Sequence, residues 1–234
     1  MVEFVSMNDK IDWRELEMVR YIMGLIVVIL CMLTVSPTEA YVGTGTLTDK
    51  NLKITYPIVY IDSNISAQDK INSDIANYVY SFKGEYDDGK FYSGKCGYEV
   101  KYEDEKYISI MFIEMRYMYG AAHTWDSGKC ITYDKITGEK IALPYFVRIA
   151  SEDLGFILSL PIYDWYDKVI PYTNNFAKDY QKSGHARIST NYYLTGNGGI
   201  ALVYSPYALA PYSAGFTHII LTEDIIDYLN RKNP

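Results

Sequence analysis

Residues Asn191 to Leu221, NYYLTGNGGIALVYSPYALAPYSAGFTHIIL, leave this chain little choice of fold. Two runs rich in aromatic and β-branched residues flank the Gly196-Asn197-Gly198-Gly199 turn. A third run, Thr217 to Leu221, follows a loop that carries Pro206, Pro211 and the closing Gly215. Strand, glycine turn, strand, loop, strand is the signature of antiparallel pairing. The loop also gathers Tyr204, Tyr207 and Tyr212. Tyrosine is enriched in interface cores and paratopes, so these three are candidates for a recognition surface. The alternative is that their hydroxyls lock the loop onto the sheet. The block contains no catalytic constellation.

The same reading extends upstream. Leu52 to Tyr56 alternates and then meets Pro57, which predicts an opening strand at a sheet edge. Gly43 to Asp49, small residues and threonines, reads as a linker. Ser66, with Asp69 at the capping-box position, predicts a helix start, and Ile71, Ile75, Tyr78, Val79 and Phe82 share one helical face. Gly84 to Gly94 reads as a polar loop. Tyr98–Tyr102 and Tyr107–Ile113 form a hairpin about the turn Glu103–Lys106; the second strand continues toward Trp125, and Lys129–Tyr133 adds a third. Ser151 to Tyr180 reads as short helices split by Pro161 and Pro171. Thr222 caps a last helix with Ile225, Ile226 and Leu229 on its apolar side. The expectation is an α+β fold of two packed small modules, residues 41–118 and 119–234, with antiparallel sheets carrying helices on one side. An N-terminal apolar helix precedes them.

That segment, Tyr21 to Val35, is free of charge, follows Arg20 and ends in Ser36-Pro37-Thr38-Glu39-Ala40. It is shorter than the roughly 20 residues that cross a bilayer as a helix. A signal peptide cleaved near Ala40 is the first expectation, and an uncleaved anchor through residues 21–35 the second. Residues 1–17 are acidic and contain Trp13, unlike a normal leader, which points to Met18 as the true start. The chain carries a net charge of −7, and removing residues 1–40 takes away six of 29 acids and three of 22 bases, leaving −4. That balance excludes nucleic acid as a partner, because phosphate contacts need a basic face. An exported chain makes a disulfide possible for Cys96 and Cys130. The strand order, however, puts one strand between them, wider than the ~7 Å Cα separation a bridge allows.

Candidate chemistry is sparse. His123 follows Gly120-Ala121-Ala122 at a strand-to-loop bend, where small neighbours let other groups approach. It is either a ligand-contacting or acid/base residue, or a histidine whose ring nitrogens tie the bend to the backbone. Tyr119 and Trp125 flank the same bend and join the candidate surface. His185 and His218 have no metal-ligand spacing to His123, so no metal or cofactor is expected. There is no Gly-x-Ser-x-Gly elbow. Glu114 and Arg116 alternate on one strand face, which reads as solvated.

Tyr56-Pro57-Ile58-Val59 with its following helix, Gly120-Ala121-Ala122-His123-Thr124, Thr137 to Leu143, and Tyr192-Tyr193-Leu194-Thr195 through Tyr207–Gly215 occur in an order that is itself informative. Over about residues 50–221 the chain resembles the extracellular domain of RsiV-type anti-sigma factors and the non-catalytic N-terminal module of PdaC-type peptidoglycan deacetylases. The resemblance implies two packed α+β modules, display outside the cytoplasm, and recognition: in the anti-sigma factors this domain binds lysozyme. Neither a sigma-binding domain nor a deacetylase is expected here. The sequence thus predicts an extracytoplasmic binding or sensor module that recognises a protein or a peptidoglycan-type glycan. The competing readings are a cell-wall hydrolase using His123 as acid/base, and a structural accessory domain.

Overall fold

Alternating side chains build a first sheet of six strands in sequence order: β1 (Ala40–Asp49), β2 (Leu52–Ile61), β3 (Ser93–Glu103), β4 (Tyr107–Tyr117), β5 (Trp125–Asp134) and β6 (Lys140–Ile141). The computed structural model describes residues 40–171 and 173–233; the expected export segment and the Met18 start lie outside them. Neighbouring strands are antiparallel except β2 and β3, which run parallel over Leu52–Ile54. Parallel neighbours need a crossover, supplied here by helix α1 (Ile65–Asp87). Its Ile71, Ile75, Val79 and Phe82 recur at helical spacing and pack on Ile54, Ile110, Phe112 and Tyr133 of the sheet. Each such side chain contributes roughly 1.5–3 kcal/mol on burial.

Two boundaries differ from expectation. Asn64, not Ser66, caps α1: its Oδ1 accepts from Ala67 N at 3.1 Å while its Nδ2 donates to Ile136 O at 2.6 Å. The helix also runs through Gly84, which faces open space, and gives way only before Gly89 at φ +72°. The larger difference is β1. The stretch expected to be a linker, Gly43 to Asp49, lies in β1, which pairs with β2 over ten residues from Ala40↔Ile61 to Asp49↔Leu52. Gly45 makes room there for the Tyr56 ring, which would lie 2.3 Å from a Cβ and would have to shift.

The second sheet is made of β7 (Ile162–Tyr163), β8 (Tyr192–Leu194), β9 (Ile200–Tyr204) and β10 (Thr217–Leu221), lying in the order β7-β10-β9-β8. On one face, Ile200, Leu202, Ile219 and Leu221 bury against helices α2 (Leu154–Ile157), α3 (Thr173–Lys182) and α4 (Glu223–Lys232). On the other, Tyr193, Ala201 and Val203 meet Met111 and Cys130 of the first sheet. The result is helix, sheet, sheet, helix: an α+β fold with each sheet carrying its helices on one side. β4 lies in the middle, with Ile108, Ile110 and Phe112 toward α1 and Ser109 and Met111 toward the second sheet. That double burial is why its alternation is less clean than that of β3.

β5 lies past the expected 118/119 division yet pairs with β4 over ten residues, so the first sheet continues to Ile141. Cys96 on β3 faces the α1 core and Cys130 on β5 faces the second sheet. Both are free, and burial pushes each thiol up to about 12. Neither is a nucleophile in that state.

Candidate functional site

The turn between β4 and β5, residues 118–124, and the loop between β9 and β10, residues 205–216, meet at one end of the molecule. There they assemble three of the six expected residues. The His123 ring lies 4.5 Å from that of Tyr212 and 6.4 Å from that of Tyr207, and the two tyrosine rings are 5.3 Å apart. Tyr207 adopts φ +69° and is 63% exposed. A non-glycine residue held in the left-handed region is strained backbone, which persists when its surroundings fix it.

Tyr212 anchors the same loop to the β4–β5 turn. Its hydroxyl lies 2.9 Å from Asp126 Oδ2, 3.2 Å from Thr124 O and 3.3 Å from Thr124 Oγ1. The single phenolic proton is best placed on the carboxylate, and the Thr124 hydroxyl can then donate to the phenol oxygen. The Thr124 contact favours the phenolate, but burial and the Asp126 charge outweigh it and hold Tyr212 above the usual tyrosine range. So this tyrosine is a clasp through its hydroxyl and a surface through its ring.

His123 Nδ1 lies 2.7 Å from Thr124 O. A carbonyl can only accept, so Nδ1 carries a proton and donates it. Among the described residues this is the ring's one hydrogen bond, and no carboxylate orients it. The histidine therefore ties the bend to the backbone and adds its face to the stack.

The other candidates go elsewhere. Trp125 is 73% exposed but precedes Asp126 on a strand, so the two project from opposite faces. Tyr119, at 86% exposure, packs edge-on against Tyr92 at 5.6 Å. Trp125 and Tyr119 thus share the turn without joining the stack. Tyr204 is only 4% exposed: it lies in the α2–α4 core, and its hydroxyl accepts from Ser189 N at 3.4 Å. It is a packing residue, not part of a surface. Strand parity explains this, since Tyr204 follows Ile200 and Leu202 on the face that buries.

Sequence reasoning missed a second cluster. His218, on β10, is 5% exposed and stacks on Tyr163 at 5.5 Å and 16°. Its Nε2 lies 3.0 Å from Asp167 Oδ1, close enough for ion pairing although the angle is poor for a hydrogen bond. Asp164, Lys101 and Tyr193 complete its titratable surroundings. Lys101 Nζ sits 4.9 Å from the Tyr193 ring and 5.1 Å from the Trp165 ring, clamping β3 to the second sheet. The histidine is the buried member and the aspartate the exposed one, the reverse of what an acid/base dyad needs to reach a substrate. No sequence spacing announces the cluster, because its members come from β3, β7 and the turn after it, β8 and β10.

Burial, opposed by Asp167, lowers the pKa of His218. The unfolded chain takes up this proton near the ordinary value of ~6.5, while the folded state resists it. Stability from this group is complete above that pH and is lost as pH falls toward the folded value, by at most about 1.4 kcal/mol per pH unit. Urea midpoints measured from pH 7.5 to 5 are expected to drop, and His218→Phe is expected to flatten the profile. An unchanged profile in that variant would assign the slope to another group.

Among the described residues no group of three or more His, Cys, Asp or Glu is placed to hold a metal ion. No described helix is long and apolar enough to cross a membrane. The chain is similar in structure to a DUF3298 family member from Bacteroides fragilis NCTC 9343, with TM-score 0.59 and 18% identity over 85% of this chain and 97% of that one. The chain shares its fold. A DUF3298 family protein from Pseudomonas aeruginosa PAO1 is similar at TM-score 0.55 and 12% identity, over 82% of this chain and 94% of that one. No family model matches the sequence, and no curated protein matches it. At these identities the likeness concerns the fold, and DUF3298 denotes a domain of unknown function.

Proposed function

We propose that this protein is an exported binding module of the cell envelope that recognises a protein partner, lysozyme-like in the sense that the RsiV resemblance implies. The observation that carries the reading is the exposed His123–Tyr212–Tyr207 stack, preset by the bonds from Tyr212 to Asp126 and Thr124. Rigid aromatic faces supply contact area at little entropic cost, because few torsions are lost on binding. With the Asp126 carboxylate behind them, they favour cationic side chains. An acid/base role for His123 gains no support from its single bond to a backbone carbonyl.

The test is retention of the full chain on immobilised lysozyme and, separately, on isolated peptidoglycan. Lysozyme is expected to hold the protein at micromolar concentration. Tyr207→Ala is expected to weaken binding about tenfold or more, as loss of an aromatic anchor does. Retention on peptidoglycan alone would transfer the reading to a glycan, and retention on neither would overturn it.

A further inference from the structure

A second surface has the opposite electrostatic character. Three adjoining hollows of about 690, 420 and 350 Å³ follow the outer edge of β5 and continue beneath residues 186–191. They share lining residues: Thr190 occurs in all three, Lys129 in the first two, Arg187 in the last two. Lys129 and Arg187 are exposed and have no carboxylate partner among the described residues. Lys140 also lines the first hollow but is paired with Asp74, so the free cations are Lys129 and Arg187. One acidic residue lines these hollows, Asp74, and both its oxygens are engaged, by Lys140 at 2.7 Å and by the Tyr133 hydroxyl at 2.8 Å. Residues 41–234 are net acidic, so a cationic groove there does not follow from composition.

The backbone of the groove narrows the class of ligand. An acidic peptide would gain most by adding a strand to the β5 edge. That edge is already closed. Asn191 sets its carboxamide against it, accepting from Cys130 N at 2.7 Å and donating to Gly128 O at 3.0 Å. β6 pairs with Thr132 and Tyr133. A ligand there is read by side chains: cations for anionic groups, and Asn77 and Thr190 as hydrogen-bonding groups.

We infer that this groove binds an anionic polysaccharide. The site is separate from the His123–Tyr212–Tyr207 stack and does not depend on the protein-recognition reading.

The test uses the full chain with polygalacturonate, a carboxylate polysaccharide, and with dextran sulfate, a sulfate-ester polysaccharide; neutral dextran and poly-L-glutamate serve as comparisons. Binding to at least one anionic polysaccharide is expected, weakening with added salt because the contacts are screened. The tighter of the two identifies the anion. Lys129→Glu combined with Arg187→Glu is expected to lower affinity about tenfold or more, as loss of two close charge contacts does. Both residues are exposed, and an unchanged thermal midpoint verifies folding. Tyr207→Ala, which weakens protein recognition, is expected to leave glycan binding intact. Equal binding of dextran, full affinity in the double variant, or equally tight and equally variant-sensitive binding of poly-L-glutamate would each overturn the inference.

Discussion

Arg116→Ala is expected to destabilise the protein by about 3 kcal/mol, because it strands a carboxylate that the fold has buried. For a chain of this size that corresponds to a fall in Tm of roughly 6–12 °C. Glu114 is buried on β4 and uses both oxygens: Oε1 accepts from the Tyr78 hydroxyl at 2.7 Å, and Oε2 accepts from Arg116 at 2.8 Å and Ser127 at 2.7 Å. Arg116 reaches on to Glu85 of α1 at 3.0 Å and lies over the Phe82 ring at 4.7 Å. Burial and then the Glu114 charge push the Tyr78 hydroxyl far up, so it stays a donor. The alanine variant removes the cation and leaves two acids facing each other across it. Glu114→Ala then serves as the other arm of a cycle: with the acid gone, Arg116→Ala is expected to cost less by about 1–3 kcal/mol. Additive losses in chemical denaturation would show that the two residues act independently.

The charges of this network read as a solvated face in the sequence, and the reason is general. Alternating charges on a strand normally face water, and nothing local reveals that a helix will cover them. Their cover comes from Tyr78 and Glu85, about thirty residues earlier in the chain. What was legible depended on short-range periodicity. The α1 stripe, the β3–β4 hairpin and the strands around the Asn197-Gly198 turn all carry their signal within a dozen residues. β1 did not, because the hydrophobics it packs on the core, Val42 and Leu47, are only partly buried and its glycines make room for Tyr56 and Tyr60. β7 has two residues and takes its identity from pairing with β10, far along the chain. The candidate surface divides in the same way. The Pro/Tyr loop and the His123 bend were visible as patterned segments. That Tyr212 reaches Thr124 and Asp126, while Tyr204 turns into the core, depends on contacts and strand parity that the loop sequence does not contain.

Gly138→Ala is expected to cost about as much as Arg116→Ala, for a different reason. The turn between β5 and β6 docks on the first turn of α1: Asn64 Nδ2 donates to Ile136 O, and Lys70 Nζ donates to Thr137 O at 3.2 Å and pairs with Glu139 at 2.7 Å. Gly138 adopts φ +76°, and a Cβ built there would lie 2.7 Å from Ala67 O and 2.9 Å from Ala67 Cα. A methyl group must therefore tolerate the left-handed region, at roughly 1 kcal/mol, and displace helix backbone that cannot swing aside as a side chain can. The two together are expected to reach about 3 kcal/mol, within the range of changes that create both strain and overpacking. Gly89 separates the contributions. It has φ +72° with nothing within 4 Å of a Cβ, so Gly89→Ala is expected to cost only the conformational share, about 1 kcal/mol. Asparagine, which tolerates the left-handed region better than alanine, is expected to recover most of the loss at Gly89 and little at Gly138. Equal denaturation midpoints for the two alanine variants would show that the turn can move away from α1, and that the close approach of Gly138 to Ala67 does not hold it there.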